Sequence, residues 1–264
     1  MDSSATVTAN DSMAAEPFLR RDPRTIDWAL AGNKQFLITL FVAYVYIVKI
    51  GGPRFMKGRK PYDGIKPLIV VYNAAMVLLN CYFVVAFLSK SYLGGGYNLL
   101  CQGINYEARD EVTMSMLTLC WWYLMKDSHI SFLHVVHHIL VVFNGWFGLA
   151  YGPDGQVALG VILNSFVHVV MYSYYFLSLL GPSVQKHLWW KRYLTQFQLV
   201  QFVMIFLHTL MPFFISCGYP RPHTYIMLCE AVFFFSMFVR FYLKAYSDKK
   251  GPSIKGEPVK NKAH

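Results

Sequence analysis

Residues 128–153 read SHISFLHVVHHILVVFNGWFGLAYGP and contain no Asp, Glu, Lys or Arg. The run exceeds the roughly 20 apolar residues with which a helix crosses a hydrocarbon core, so it reads as a transmembrane helix. It also carries His134, His137 and His138. Their spacing of i, i+3 and i+4 stacks three imidazoles on one helix face. A single histidine inside a span is usually a packed, hydrogen-bonded residue. Three so close together each need partners that lipid does not supply, and such a cluster inside a membrane marks a functional site.

The rest of the chain repeats the pattern. Residues 67–89, 155–185 and 193–220 are also free of charge, residues 28–48 are interrupted only by Lys34, and residues 222–239 only by Glu230. Of the 264 residues, 55% are hydrophobic and 14% charged, against about 25% charged in soluble domains. Mean hydropathy is +0.36. The expected fold is all-α and polytopic: a polar N-terminal tail over 1–27, a membrane domain over 28–246 and a basic tail over 247–264. The first apolar stretch follows a polar segment with Arg20, Arg21 and Arg24, so it is expected to stay as a span rather than be cleaved as a leader. In a chain this apolar, the net charge of +10 belongs to cytosolic loops, and no nucleic-acid partner is expected.

The loop after the first span holds Lys49, Arg54, Lys57, Arg59, Lys60 and Lys66 against one acid, Asp63. The positive-inside rule places this loop in the cytosol and the N-terminus in the lumen. The loop at 181–193, with Lys186, Lys191 and Arg192, is basic too, as is the tail after Lys244; an odd number of spans follows. The sequon Asn10-Asp11-Ser12 agrees with a lumenal N-terminus. Lys260 and Lys262 near the chain end match a dilysine retrieval signal of the endoplasmic reticulum, which is read in the cytosol. Cys101 and Cys217 fall on the lumenal side, where an oxidising compartment permits a disulfide. Cys81, Cys120 and Cys229 fall inside spans and read as small apolar fillers. One span is short: its apolar residues run only over 112–125, about 21 Å of helix against a core of roughly 30 Å.

Two other spans turn polar groups along one side. Asn164 and His168 lie one turn apart, followed by Met171-Tyr172-Ser173-Tyr174-Tyr175. Thr195, Gln198 and Gln201 recur every three residues, with His208 two turns on. Each stripe alone reads equally well as interhelical hydrogen bonding. With the histidine box they describe a polar pocket inside a helical bundle. His129, His187 and His223 fall at or near loop ends and are assigned no chemistry; Glu230 is read as pairing with a neighbour. A neutral imidazole can accept an acyl group from a thioester, and amide side chains can donate to the oxyanions that develop. A bundle interior keeps water from the acyl-imidazole. The basic loop groups, Lys191 and Arg192 among them, suit the anionic head of coenzyme A. A rival stays open at this point, since histidines so spaced can also ligate iron.

The motifs His134-x-x-His137-His138, Asn164-x-x-x-His168-x-x-Met171-Tyr172-x-Tyr174-Tyr175 and Thr195-x-x-Gln198-x-x-Gln201-Phe202 resemble, in order and spacing, the fatty acid elongases. These are the very-long-chain 3-oxoacyl-CoA synthases of the endoplasmic reticulum membrane. Gly52-Pro53-Arg54-Phe55-Met56, Arg59-Lys60-Pro61-Tyr62, Leu100-Cys101-Gln102 and Leu188-Trp189-Trp190-Lys191 are similar to the same family, above all to its insect members. The resemblance implies a seven-helix bundle whose last six helices surround a narrow acyl tunnel. It implies condensation of a long-chain acyl-CoA with malonyl-CoA to 3-oxoacyl-CoA, CO2 and coenzyme A. His137 is the implied acyl acceptor, His168 lines the same site, and His134 and His138 orient and tune the imidazoles. Asn164, Tyr172, Tyr175, Gln198 and Gln201, with Lys191 and Arg192, are the implied substrate contacts. No cofactor and no metal are implied. A Cys101–Cys217 disulfide is implied, as are membrane lipid, a second copy of the chain and other enzymes of the elongation cycle as partners.

The chain departs from the family at one place. Family members carry Lys-x-x-Glu-x-x-Asp-Thr on the third span, then an aromatic run and a basic cluster. Here Trp121-Trp122-Tyr123-Leu124-Met125 passes directly to Lys126-Asp127-Ser128-His129-Ile130. About four helical turns are therefore expected to be missing between Met125 and Lys126. Two further readings follow: an inactive family member that partners active subunits, and a membrane di-iron desaturase or hydroxylase. The latter also uses histidine boxes but needs several, where this chain has one.

Overall fold

The computed structural model describes residues 21–28, 31, 33–60, 63–124 and 132–246. Among them there are nine α-helices and no strand. Seven helices are long: α1 (Lys34–Tyr46), α3 (Lys66–Leu88), α4 (Glu111–Leu124), α5 (Phe132–Tyr151), α6 (Val157–Ser178), α8 (Lys191–Phe214) and α9 (Arg221–Tyr246). The short pieces α2 (Gly52–Met56) and α7 (Pro182–Gln185) lie at the basic ends of their neighbours. π-helical turns extend α1 through Ile47–Gly51 into α2, and α3 through Ser89–Leu93. Five stretches, Leu37–Met56, Lys66–Leu93, Val157–Ser178, Lys191–Phe214 and Arg221–Tyr246, are long and apolar enough to cross a membrane. The chain is a multi-pass membrane protein.

Local chemistry explains why these segments are helical in lipid. Pro67 sits in the first turn of α3, where a missing N–H costs nothing. Further along, Asn73 and Asn80 donate to the carbonyls of Ile69 and Met76 at 2.9 and 2.7 Å. In α8, Thr209 does the same to Ile205 at 2.7 Å. These side chains are satisfied within their own helix and leave no polar group bare to lipid. At the other end of α6, Gly181 at φ 101° precedes Pro182 and ends the helical run.

The last six long helices pack pairwise in a closed ring, in the order α3, α6, α8, α9, α5, α4 and back to α3. α1 stands outside it and touches α5. One seam of the ring joins Phe83, Ala86 and Phe87 of α3 to Leu119 of α4 and Ala158 and Ile162 of α6. Another joins Met76 of α3 to Met171 and Tyr172 of α6 and Leu194 of α8. Outward faces are apolar and exposed, as at Leu68, Val71, Leu78 and Val85 on α3 and Val200, Val203 and Leu207 on α8. Lipid is the solvent that makes such faces stable. Cys81 and Cys229 are exposed on this surface rather than packed as fillers; the side chain of Cys120 lies outside the described residues.

The first span begins later than its apolar run. Residues 23–27 form turns, because a buried ion cluster holds them against the bundle. Arg24 bonds Asp22 at 2.6 Å and Asp154, in the α5–α6 loop, at 3.0 Å, and donates to the Asn105 carbonyl at 3.0 Å. Burial opposes the Arg24 charge, but the hydrogen bonds to Asp22 and Asp154 outweigh it and raise its pKa above the ordinary guanidinium value. The Asp22 backbone N–H donates to the Ala150 carbonyl at 2.9 Å, and the Thr25 hydroxyl to that of Leu149. Packing therefore begins ahead of residue 28.

The apolar run expected to be a short third span falls on α4, described over Glu111–Leu124. Its start is fixed by Asp110, whose carboxylate accepts from the Thr113 backbone N–H and hydroxyl at 2.9 and 2.8 Å, an N-cap reinforced by Glu111 in the first turn. Residues 125–131, where the missing turns are expected, lie outside the described residues. Replacing Arg24 leaves two carboxylates buried without their cation, which costs about 3–5 kcal/mol. Arg24→Ala is thus expected to lower the thermal unfolding midpoint markedly in detergent, and an unchanged midpoint would contradict the cluster's role.

Candidate active site

Four helices of the ring, α5, α6, α8 and α9, enclose two cavities of about 180 and 220 Å³. His137, Asn164, Gln201 and Phe202 line both. They form the junction between the two cavities. From this junction the second cavity runs toward Tyr175 at the end of α6, Lys191 at the start of α8 and Tyr246 at the end of α9. The first runs the opposite way, toward Gly152 and Pro153 beyond α5, Val157 at the start of α6, and Tyr219 and His223 at the start of α9. The resemblance implied that six helices surround such a tunnel. Six do close the ring, but among the described residues α3 and α4 contribute no wall to either cavity.

The His137 ring packs on Phe234 of α9 with centroids 4.9 Å apart, and Phe234 stacks in turn on Phe202 at 6.0 Å. Gln201 is buried and faces His137 from α8. On the polar side, His168 is buried with its ring edge-on to Tyr172 at 5.7 Å; Tyr172 is held against Tyr72 of α3 at 6.1 Å. Gln198 donates to the sulfur of Met171 at 3.8 Å. Of the residues expected at the site, Asn164, His168, Tyr172, Tyr175, Lys191, Gln198 and Gln201 all line the second cavity, with Thr195 beside them. Arg192 does not. It is exposed, and its Nε donates to the Tyr242 hydroxyl at 2.9 Å on the outer face of the α8–α9 pair. His134 and His138 lie on α5, but their side chains fall outside the described residues.

His208 also leaves the expected stripe. One ring nitrogen meets the Leu99 carbonyl at 3.0 Å, and the His208 carbonyl accepts from Gln156 at 2.8 Å. Gln156 is fully buried and also engages the Leu100 carbonyl and the Gln102 backbone N–H, at 3.2 and 2.9 Å. His208 is therefore part of the clamp that ties the α3–α4 loop to α8. Cys101 and Cys217 are bonded in the same clamp. A Cβ at Gly103 would lie 1.9 Å from the Cys217 carbonyl oxygen, so only glycine permits this approach.

The apolar cavity holds two groups that the sequence reading left out of the site, His223 as a loop-end residue and Glu230 as an acid paired with a neighbour. His223, placed near a loop end, is buried and lines the cavity, as does Glu230. Their signal was available: positions 223, 227, 230 and 234 follow one helix face. Tyr219 lies between them and the loop, its hydroxyl on the Met227 sulfur at 3.4 Å, and burial pushes its pKa up so that it stays neutral. Gly145, Gly148 and Gly160 line the same space, and a Cβ at Gly148 or Gly160 would meet nothing within 4 Å. Among the described residues, no three His, Cys, Asp or Glu side chains converge as a metal-binding group would. What the arrangement offers is one imidazole shared by a polar cavity and a largely apolar one.

Comparison with known proteins meets this geometry. The model of the ELO (GNS1/SUR4) family matches residues 29–253. A very long chain fatty acid elongase of Aedes aegypti is 37% identical over 245 residues, covering 87% of this chain and 68% of the relative. Very long chain fatty acid elongase 7 of Drosophila melanogaster is 36% identical over 252 residues, with coverage of 88% and 75%. Very long chain fatty acid elongase 4 of Homo sapiens is 33% identical over 247 residues, with coverage of 88% and 77%. The chain belongs to the ELO family, that of the very long chain fatty acid elongases.

Proposed function

We propose that the chain condenses a long-chain acyl-CoA with malonyl-CoA, using His137 as the acyl acceptor. The observation that carries this reading is the position of His137 on both cavities, with Asn164, Gln201 and Phe202 around it. The coenzyme A moiety enters from the end at Lys191, whose charge suits its phosphates, and the acyl chain fills the apolar cavity. A neutral His137 nitrogen attacks the thioester carbonyl, the C–S bond breaks, and coenzyme A leaves as the thiol with the imidazole proton. Asn164 and Gln201 have amides with which to meet the oxyanion. Malonyl-CoA then loses CO2. The resulting carbanion attacks the acyl carbonyl, the new C–C bond forms as the C–N bond to the imidazole breaks, and His137 takes up a proton to return to its neutral form. No metal or cofactor takes part. His168 lines the polar cavity beside the acceptor, and His134 and His138 tune it from the same helix.

The basic loops and the Lys260/Lys262 pair support an endoplasmic reticulum location with the C-terminus in the cytosol and the N-terminus in the lumen. Within the elongation cycle the product passes to a reductase, and a second copy of the chain is the natural partner. The direct passage from Met125 to Lys126, without the Lys-x-x-Glu-x-x-Asp-Thr segment, supports a second reading, an inactive member that pairs with active ones.

Incorporation of labelled malonyl-CoA by microsomes separates the two readings. Wild-type chain is expected to elongate long-chain acyl-CoA and His137→Ala to fall to background; confirmed expression without incorporation would leave only the inactive reading. Chain length gives another handle. Valine at Gly148 or Gly160 adds bulk where the cavity is open, so Gly148→Val is expected to shift products to shorter chains by gas chromatography. An unaltered distribution would mean that the acyl chain lies elsewhere.

A further inference from the structure

Gly152, Tyr219 and His223 line the far end of the apolar cavity. All three are buried, as are the loop residues Asp154, Gly155 and Gln156. A strap of the α3–α4 loop, Cys101 to Tyr106, lies across this end, and each of its residues meets a neighbour there. Cys101 is bonded to Cys217, and the Gln102 N–H donates to the Gln156 side chain at 2.9 Å. Gly103 lies against the Cys217 carbonyl. The Asn105 carbonyl accepts from Arg24 at 3.0 Å, and the Tyr106 hydroxyl donates to the Tyr151 carbonyl at 2.8 Å. Between these anchors Ile104 packs its side chain on two glycines. A Cβ at Gly155 would lie 3.1 Å from Ile104 Cγ1. One at Gly152 would fall on Ile104 Cδ1, with the Tyr106 hydroxyl at 3.4 Å and His223 Nε2 at 3.6 Å. Ile104 thus fills the space beside two residues, Gly152 and His223, that line the cavity.

Two helices give the depth of this end. Phe234 of α9 packs on His137 of α5, and His223 packs on Phe147 at 4.8 Å. From His137 to Gly152 along α5, or from Phe234 to His223 along α9, the rise is about 16–22 Å, the reach of an extended acyl chain of roughly 14 to 18 carbons. A close-packed interior feels a change of one methylene, so an anchored strap stops a chain terminus sharply. On the condensing-enzyme reading above, we propose that the Cys101–Tyr106 strap is the length gauge of the acyl cavity, with Ile104 as its specificity-determining side chain. The substrate class is an acyl-CoA whose terminal methyl reaches the strap; longer homologues are excluded by overpacking. Truncating Ile104 leaves a void beside Gly152 and His223 that admits about two further methylenes.

The test supplies full-length protein in microsomes with saturated acyl-CoAs in two-carbon steps. Products of labelled malonyl-CoA incorporation are resolved by gas chromatography. Wild type is expected to use acceptors up to about 18 carbons, with use falling about tenfold at the next homologue. Ile104→Ala should move that fall one step longer. Ile104→Val, which disturbs the loop least, should raise use of the excluded homologue part-way. Thermal unfolding reports that each variant is folded. Leu207→Ala, on the lipid-facing surface, should leave the limit unchanged. A folded Ile104→Ala or Ile104→Val with the wild-type limit overturns the proposal, as does undiminished use of longer acceptors by wild type. If no acyl-CoA is elongated, the condensing reading fails, and thermal stabilisation by the same series decides instead. A maximum that moves one step longer in Ile104→Ala supports the gauge; a maximum shared with wild type overturns it.

Discussion

Lipid offers no hydrogen bonds, and this constraint orders the whole molecule. Every polar side chain in the bundle must be satisfied within its own helix or turned toward an interior that can hold polar partners. Asn73, Asn80 and Thr209 take the first course, each bonded one turn back along its helix. Asn164, His168, Gln198 and Gln201 take the second and define the polar cavity. The functional site is in this sense the residue of the constraint: the place where polar groups collect when they cannot face outward.

A site of this kind needs its two ends fixed, since α5, α6, α8 and α9 enclose it without help from α3 and α4. At one end the Arg24 cluster binds the segment before α1 to the α5–α6 loop. Beside it, Gln156 and the Cys101–Cys217 bond tie the α3–α4 loop to α8 and the loop after it. These anchors all lie at the apolar end of the path, where a chain terminus would reach. The opposite end, by contrast, carries exposed basic groups such as Lys191 and Arg192. A cross-braced apolar end and a charged one suit a substrate with an apolar tail and an anionic head.

Much of this was legible in the sequence, for identifiable reasons. Charge-free runs located the spans, since a charge in hydrocarbon is too costly to occur by chance. Helical spacing placed Asn164 with His168 and Gln198 with Gln201, because a period of 3.6 residues determines which side chains share a face. The third apolar run was visible as well, and its described part is α4. What spacing does not contain is the rotation of each helix. His208 continued the Gln201 stripe on paper, yet it faces the Leu99 loop. Arg192 adjoins Lys191 in sequence, yet turns outward to Tyr242. His223 looked like a loop-end residue, although its spacing to Met227, Glu230 and Phe234 already put it on the face of α9 that lines the cavity. The Arg24–Asp154 contact joins residues 130 positions apart, and no local pattern announces it.

The central claim is that an acyl chain threads past His137 into the cavity between α5, α6 and α9. An acyl-CoA with a photoreactive diazirine at its terminal carbon tests this directly, with the crosslinked peptide identified by mass spectrometry. The account predicts adducts within residues 141–161 and 219–231, on the walls of the apolar cavity, and their displacement by unlabelled acyl-CoA. Adducts confined to the lipid-facing surfaces around Cys81 and Leu207 would contradict it.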